Sequence, residues 1–205
     1  RLVELCRGGV LHELQRLVGD LLDLGAPPKP LIQRLNVHRL IRHVLSVMEP
    51  ELTRSGIKLE CQFDPSLPDL LGDEARLTQV LLNLMKNAIE SMVTENGAAQ
   101  PPNDRIVVRT RLESDFRVVH DSQGTIRFLR IEVLDRGRGI APADLPRVFE
   151  PFFTTKARGT GLGLAVASQI VAEHGGVIRA EGNPPHGTCM TVSIPVAPPE
   201  LPADP

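Results

Sequence analysis

The order of the helix-forming and strand-forming segments is the feature that most constrains how this chain can fold. Apolar residues at helical spacing predict helices over residues 37–54, 73–92 and 162–174. Alternating or continuous apolar runs predict strands over residues 57–63, 105–112, 126–134, 177–181 and 188–196. Because the strands do not alternate regularly with the helices, a simple series of strand–helix–strand units is not expected. We expect an α/β (α+β) sandwich of two layers, in which helices cover one face of a mixed sheet.

Polar residues and glycines mark the ends of these helices. Asn36 and Asp73 stand before the first two helices, where a short polar side chain can accept hydrogen bonds from unpaired backbone N–H groups. Gly56 and Gly175 follow the first and third helices, and glycine at that position adopts the left-handed conformation that closes a helix. The helix boundaries are therefore predicted by cap residues as well as by periodicity.

A separate apolar repeat lies in residues 1–28. Its members are four and three residues apart, as in the seam of a coiled coil, and they are Val10, Leu14, Leu17, Leu21 and Leu24. Gly25 and the prolines after it end this helix, so we place a domain boundary there. A lone helix of this length is marginal in water, so we expect it to pair with a second subunit in a homodimer. Packing on its own globular domain, residues 29–197, is the alternative, and residues 198–205 are expected to form a disordered tail.

The composition argues against several classes of protein. The 205 residues include 23 Lys and Arg against 25 Asp and Glu, whereas a nucleic-acid-binding surface needs an excess of basic residues. The three cysteines are far apart in sequence, and we expect them to be reduced packing residues in a cytoplasmic protein. No apolar run is long enough to span a bilayer, and Arg1 begins no signal peptide.

The first cluster of polar residues lies on the second predicted helix. Asn83 and Asn87 are four residues apart, so their amides share one helix face. Asparagine is a poor residue for a helix interior, because its side chain competes with the backbone for hydrogen bonds. The pair suits a hard cation such as Mg²⁺, which takes oxygen ligands and phosphates. A polar patch capping the sheet edge is an equally acceptable interpretation of this cluster alone.

The second cluster follows a predicted buried strand and contains Asp135, Gly137, Gly139 and Ile140. A carboxylate at a strand end can accept a hydrogen bond from the exocyclic amine of a base, and the glycines let the backbone pass close by. By itself this is a common turn sequence.

The third cluster precedes the last predicted helix. Phe149, Phe152 and Phe153 suit the apolar anchors of a mobile lid, and Lys156 can reach toward a terminal phosphate. Glycines 159, 161 and 163 then lead into the helix, whose N-terminal N–H groups and dipole attract an anion. The pattern is neither a P-loop nor a dinucleotide fingerprint.

In this order, the three clusters resemble the N, G1, F and G2 boxes of the GHKL ATPases, and specifically the catalytic domain of two-component sensor histidine kinases. The resemblance runs from Asn36 to Val196 and is strongest with the nitrogen-regulatory (NtrB-type) kinases. It implies a Bergerat-type sandwich that binds ATP, ADP and Mg²⁺ and transfers the γ-phosphoryl group of ATP to a histidine of a dimerisation hairpin. The implied partner is the receiver domain of a response regulator, where an aspartate accepts the phosphoryl group.

The resemblance also implies roles for individual residues. Asn87 and Asn83 would hold Mg²⁺, Asp135 would bind the adenine amino group, and Asn83, Asn87 and Lys156 would be the catalytic residues. The nucleotide-binding set would be Asn83, Lys86, Asn87, Asp135, Gly137, Gly139, Ile140, Phe149, Thr155, Lys156, Gly159, Thr160, Gly161, Leu162, Gly163, Leu164 and Thr188. Hydrolytic relatives carry a glutamate general base at the position of Asn83, and an amide cannot act as that base.

Two residues depart from the family pattern. Arg136 stands where asparagine is usual, which puts the geometry of the G1 loop in question. Glu90 stands where many members have a lysine, so that Lys86 or Lys156 would have to supply the positive charge.

The histidine acceptor is not identified with any residue of this chain. His12-Glu13-Leu14 resembles the start of the acceptor motif, but the expected proline does not follow and residues 11–30 resemble the second hairpin helix and its linker. We therefore expect the acceptor helix to be missing, and the chain to bind Mg-ATP without completing autophosphorylation alone. The alternatives are a nucleotide-controlled interaction module, a hydrolytic GHKL ATPase and a serine kinase.

Overall fold

The computed structural model describes Gly25 and residues 30–93, 105–115, 126–156 and 159–196. The coiled-coil seam, His12 and the tail lie outside the described residues, so the predictions made for them stay predictions.

Three α-helices form where the apolar periodicity predicts them. They are α1 (Val37–Ser55), α2 (Glu74–Met92) and α3 (Gly163–Glu173). The Asn36 side chain accepts a hydrogen bond from the Arg39 N–H at the start of α1, and the Asp73 side chain accepts one from the Arg76 N–H at the start of α2. Gly56 ends α1 with a φ of 69°. The predicted caps of α1 and α2 are therefore confirmed.

The strands make one five-stranded sheet and one small ribbon. In chain order they are β1 (Gln33–Leu35), β2 (Lys58–Gln62), β3 (Leu70–Gly72), β4 (Arg105–Asp115), β5 (Ile126–Leu134), β6 (Val177–Gly182) and β7 (Thr188–Val196). The large sheet has the order β2-β4-β5-β7-β6, in which β2 and β4 are parallel and the other neighbours are antiparallel. This confirms the mixed sheet.

The ribbon of β1 and β3 was not predicted. Its three antiparallel residue pairs join the residues just before α1 to the residues just before α2. Strands of three residues are too short to show alternation, so the sequence carries no periodic signal for them.

The core lies between the helices and one face of the large sheet. Leu84 on α2, Ile106 on β4 and Leu129 on β5 are completely buried there. On the opposite face, ion pairs cross between neighbouring strands and join Arg105 to Glu60, Arg109 to Glu132 and Arg130 to Glu113. The helices thus cover a single face of the sheet, as the sequence predicts. Within the described residues, no helix is both long enough and apolar enough to cross a membrane.

Candidate functional site

Asp135 lies directly after β5, at the point where this strand leaves the sheet, and is only 3% exposed. Its Oδ1 atom accepts hydrogen bonds from the backbone N–H groups of Gly137 at 2.8 Å and Thr188 at 3.2 Å. Its own N–H donates to the Thr188 carbonyl at 2.9 Å. These bonds fix the carboxylate in one position, and they place Thr188 beside it.

Burial raises the pKa of the Asp135 carboxyl above its ordinary value, although hydrogen bonds from its neighbours and the positive charge of Lys156 act to lower it. A carboxylate that has lost most of its water is a strong acceptor for a ligand N–H group. Asp135 is therefore suited to bind a donor such as an exocyclic amine.

Two residues that the sequence analysis missed hold the loop around Asp135. The Ser91 side chain, on α2, acts to lower the pKa of the Asp135 carboxyl, and its hydroxyl donates to the Ala88 carbonyl at 2.8 Å. The Ser91 carbonyl accepts from the Arg138 N–H at 3.1 Å. The Asn183 amide donates to the Asp135 carbonyl at 2.7 Å. Ser91 was detectable in principle, because it lies four residues after Asn87 and so extends the same helix face.

Gly137 is required by this close approach. A Cβ atom at Gly137 would lie 2.2 Å from the Ser91 Oγ and 2.5 Å from the Ser91 carbonyl oxygen. Only glycine lets the loop after Asp135 approach α2 so closely. The glycine at position 137 therefore allows the loop backbone to pack directly against Ser91.

Asn83 and Asn87 point away from the core and meet the segment that precedes α3. The Asn83 Nδ2 donates to the Gly163 carbonyl at 2.9 Å, and the Asn87 Oδ1 accepts from the Lys156 Nζ at 2.7 Å. Both amides are half-buried. They therefore share one face of α2, which is directed at Lys156 and Gly163.

Lys156 also contacts Glu90, and its Nζ lies 2.5 Å from the Glu90 Oε2. The Lys156 ammonium thus already contacts the Asn87 and Glu90 oxygen atoms at the C-terminal end of α2. Amide and carboxylate oxygens are the donors that Mg²⁺ prefers, so the donor set fits a magnesium ion. Among the described residues, no three His, Cys, Asp or Glu side chains form a metal-binding group, so a metal here would need ligand oxygens as well.

The phenylalanines of the third cluster have three different environments. Phe149 packs against the core, and Phe153 lies under the Arg147 guanidinium, whose carbon is 4.6 Å from the ring centre. Phe152 is 65% exposed, so it does not serve as the apolar anchor that the sequence suggested. Its N–H donates to the Gly161 carbonyl at 3.0 Å, which joins the chain on the two sides of this segment. We call residues 153–160 the lid, of which the structure describes residues 153–156 and 159–160.

Gly161 makes that closure possible. Its φ is +68°, and a Cβ atom there would lie 2.4 Å from the Phe152 carbonyl carbon. A larger residue would force the two ends of the lid apart.

The start of α3 has an open N-terminus. Leu162, at the N-cap position, makes no side-chain cap hydrogen bond, and its own N–H is 3.4 Å from the Thr160 Oγ1. The first N–H groups of a helix then lack side-chain partners and can bind an anion. Leu162 itself is buried, with 1% of the residue exposed.

The remaining predicted residues surround these groups. Lys86 and Ile140 are half-buried, Thr155 is exposed and Leu164 packs against the core. Gly139 lies close to Gly187, and a Cβ atom added to Gly139 would be 3.3 Å from the Gly187 carbonyl oxygen.

Comparison with known families gives one match across this region. The family model described as "Histidine kinase-, DNA gyrase B-, and HSP90-like ATPase" matches residues 72–198, which include Asn83, Asn87, Asp135 and the lid.

Curated relatives extend the likeness. The sensor histidine kinase ZraS of Escherichia coli strain K12 is 37% identical over 183 residues, which cover 89% of this chain and 35% of that protein. The sensory histidine kinase/phosphatase NtrB of Rhodobacter capsulatus is 45% identical over 141 residues, which cover 68% of this chain and 37% of that protein. The chain thus spans little more than a third of these relatives.

Solved structures share the fold. Full-length ShkA in complex with AMPPNP superposes with a TM-score of 0.70 at 27% identity, covering 90% of this chain and 36% of that one. The histidine kinase ThkA in complex with the response regulator TrrA gives a TM-score of 0.68 at 26% identity, covering 94% of this chain and 51% of that one.

Proposed function

The chain belongs to the histidine kinase-, DNA gyrase B- and HSP90-like ATPase family, within which it carries the ATPase domain of sensor histidine kinases, and we propose that it transfers the γ-phosphoryl group of ATP to a histidine. The observation that carries the proposal is the amide of Asn83 on the lid-facing side of α2, at the position where hydrolytic relatives have a glutamate. A site that binds ATP without a carboxylate base there protects the phosphate from water.

Asp135 selects the base. Its buried carboxylate accepts a hydrogen bond from the 6-amino group of adenine, and the N–H groups of Gly137 and Thr188 hold it in place. Guanine has a carbonyl oxygen at the corresponding position, which would face the carboxylate without a proton between them. The site therefore favours adenine nucleotides over guanine nucleotides.

Asn87 and Asn83 provide the oxygen donors for Mg²⁺ on the lid-facing side of α2. A magnesium ion held there would supply positive charge to the phosphate oxygens. The open N-terminus of α3 and the Lys156 ammonium add two further positive elements for the phosphates.

The transfer itself is a displacement at the γ-phosphorus. A nitrogen of the acceptor imidazole attacks, the P–N bond forms, and the bond from phosphorus to the bridging oxygen breaks, so that ADP leaves. The residues described here position the phosphates and hold water away, and the acceptor histidine comes from the dimerisation hairpin of the same or a partner subunit.

We further propose that the phosphoryl group passes to an aspartate of a response-regulator receiver domain, that this chain is cytoplasmic, and that the full-length kinase is a homodimer. The solved complex of ThkA with the response regulator TrrA supports such a partner, and the ShkA complex with AMPPNP supports the nucleotide.

Two measurements test the proposal. The purified chain is titrated with a fluorescent ATP analogue in the presence of Mg²⁺, and it is then incubated with ATP labelled at the γ-phosphate and a separate polypeptide carrying the acceptor helix. We expect saturable binding and an acid-labile label on the acceptor. An unsaturable titration rejects nucleotide binding, while binding without labelling replaces the kinase by a nucleotide-controlled interaction module. Steady phosphate release without an acceptor indicates a hydrolytic ATPase instead.

A further inference from the structure

Lys156 and Glu90 form a charged contact between the lid and the C-terminal end of α2. The two residues are 66 positions apart in sequence, and the Lys156 Nζ lies 2.5 Å from the Glu90 Oε2.

This contact is more than a surface ion pair. The same Nζ is 2.7 Å from the Asn87 Oδ1, so the ammonium has two oxygen partners on one helix face. The Lys156 side chain is 28% exposed and that of Glu90 36% exposed, which leaves the pair only partly screened by water. The charge of Lys156 also acts on the buried carboxyl of Asp135, so it lies within the field of the proposed nucleotide site.

The position of the ammonium has a consequence for magnesium. The Asn87 Oδ1 that binds Lys156 is the oxygen that the proposed function assigns to the metal. An Mg²⁺ ion binds its oxygen ligands at about 2.1 Å, so it and the ammonium would be close neighbours if both contacted this atom. Two cations at that separation repel each other.

We propose that Lys156 is a tethered counter-ion that occupies the cation position of Asn87 until Mg²⁺ arrives with the nucleotide, and that Glu90 is the positioning residue that holds it there. The inference rests on the proposed function. Binding of the Mg-nucleotide then exchanges the ammonium for the metal and releases the lid lysine toward the phosphates. The Phe152 N–H donates to the Gly161 carbonyl, so the chain on the two sides of Lys156 is held together by a contact that does not involve the Lys156 side chain.

If Mg²⁺ replaces the Lys156 ammonium, the two cations compete for the Asn87 Oδ1, and this competition can be measured at equilibrium. A fluorescent ADP analogue is used, because it lacks the γ-phosphate that Lys156 would otherwise contact, and Mg²⁺ is titrated at a fixed analogue concentration. We expect Lys156→Met to lower the half-saturating Mg²⁺ concentration by about five- to tenfold, the effect of losing one charge-assisted competing contact. Lys156→Arg, which retains the charge, should stay within about twofold of the unsubstituted chain.

Glu90→Gln separates the two roles that a carboxylate at this site can have. If Glu90 acts by positioning Lys156, Glu90→Gln lowers the Mg²⁺ requirement in the unsubstituted chain and has no further effect in the Lys156→Met background. If Glu90 were a metal ligand, Glu90→Gln would raise the Mg²⁺ requirement in both backgrounds and overturn the proposal. The matched controls are Lys58→Met on β2 and Glu49→Gln on α1, which remove the same charges from other elements of the fold. Both should leave the half-saturating Mg²⁺ concentration unchanged.

The remaining outcomes are also decisive. An unchanged Mg²⁺ requirement in Lys156→Met, in a chain that binds the analogue normally, overturns the competition and leaves the proposed function intact. Failure of the unsubstituted chain to bind the analogue at any Mg²⁺ concentration overturns the proposed function and the inference together. Lys156→Gln is a second neutral variant, and circular dichroism verifies that each variant is folded.

Discussion

The two ends of α2 both carry charged and polar side chains, but they differ in where their partners lie. At the N-terminal end, the Asp73 carboxylate accepts from the Arg76 N–H at 3.1 Å and the Leu31 N–H at 2.8 Å. The Asp73 N–H donates to the His174 Nε2 at 2.9 Å, and Arg76 forms an ion pair with Glu173. These partners belong to the segment before β1, to α2, and to the last residue and C-cap of α3, so this end joins elements of the fold.

At the C-terminal end, the partners of Asn87 and Glu90 are on the lid. Lys156 contacts both, and it belongs to a segment whose flanking residues are joined by the hydrogen bond between the Phe152 N–H and the Gly161 carbonyl. Similar side chains thus join packed elements of the fold at one end of α2 and contact the lid at the other. The comparison teaches that the position of the partner in the fold, more than residue type, separates the two ends.

The largest expected effect is on nucleotide binding by Asp135, whose loop packs on the C-terminal end of α2. Asp135→Asn keeps the shape of the side chain but replaces an anionic acceptor, and we expect adenine nucleotide affinity to fall by about a hundredfold or more. Stability should not decrease, because burial raises the pKa of Asp135 and the ionised carboxylate is costly in the fold. Isothermal titration calorimetry and thermal unfolding check the two parts. A variant that loses stability and retains its affinity would reverse the assigned role.

The second-largest expected effect is on stability, and it comes from a change at the N-terminal end of α2. Asp73→Ala removes the cap of α2 and leaves the Leu31 and Arg76 N–H groups without their carboxylate, so we expect unfolding free energy to fall by about 2 kcal/mol. Nucleotide affinity of the folded chain should change little. Urea unfolding of Asp73→Ala is compared with that of Asp69→Ala, an exposed aspartate nearby. Equal stability of the two variants would contradict the structural role of the N-terminal end.

The third effect is a difference in pH dependence between the two aspartates. Burial acts to raise the pKa of Asp73, but backbone N–H groups of Arg76, Leu31 and Ala75 outweigh it and hold the pKa below its ordinary value. Its contribution to stability is therefore complete above the unfolded pKa and is lost as the pH falls through the lowered folded pKa.

Asp135 behaves in the opposite way, because its folded pKa is raised. As the pH falls it takes up a proton first, and adenine affinity should decline by about tenfold for each pH unit below that raised pKa. Nucleotide titrations and unfolding curves over the same pH series should show binding lost before the Asp73 contribution to stability. Loss of both at the same pH would remove this distinction.

The smallest effect concerns the ion pair of Arg76 and Glu173, whose side chains are 10% and 25% exposed. Replacing both together, as Arg76→Met with Glu173→Leu, should change unfolding free energy by no more than about 1 kcal/mol, because a buried pair gains little net energy over apolar packing. Glu173→Leu alone should be more destabilising, since it leaves the guanidinium unpaired. Chemical denaturation of both variants tests this. A double variant as unstable as the single one would show that the charges themselves are needed.

Much of the fold was predictable because its signals are local. Asn36 and Asp73 cap helices through hydrogen bonds to residues three positions away, and Gly56 needs only its own backbone conformation. The shared face of Asn83 and Asn87 follows from helix geometry alone.

The contacts that the sequence did not predict are distant in the chain. Asn183 reaches the Asp135 carbonyl across 48 positions, and Lys156 reaches Glu90 across 66. The path of the lid decides where the flexible Lys156 side chain ends, and neither periodicity nor a cap residue specifies that path. The exposure of Phe152 has the same origin, because an apolar residue in a loop is not directed by helix or strand spacing.

The hydrogen bond between the Leu31 N–H and the Asp73 carboxylate joins the chain ahead of β1 to the start of α2. With 19 residues, α2 is a rod about 28 Å long. The incoming polypeptide is fastened to its first turn, and Asn87 lies 13 residues after Glu74, or about 20 Å farther along the axis. The end of α2 that is bonded to Leu31 and the Asn87 amide that contacts Lys156 thus belong to one uninterrupted helix.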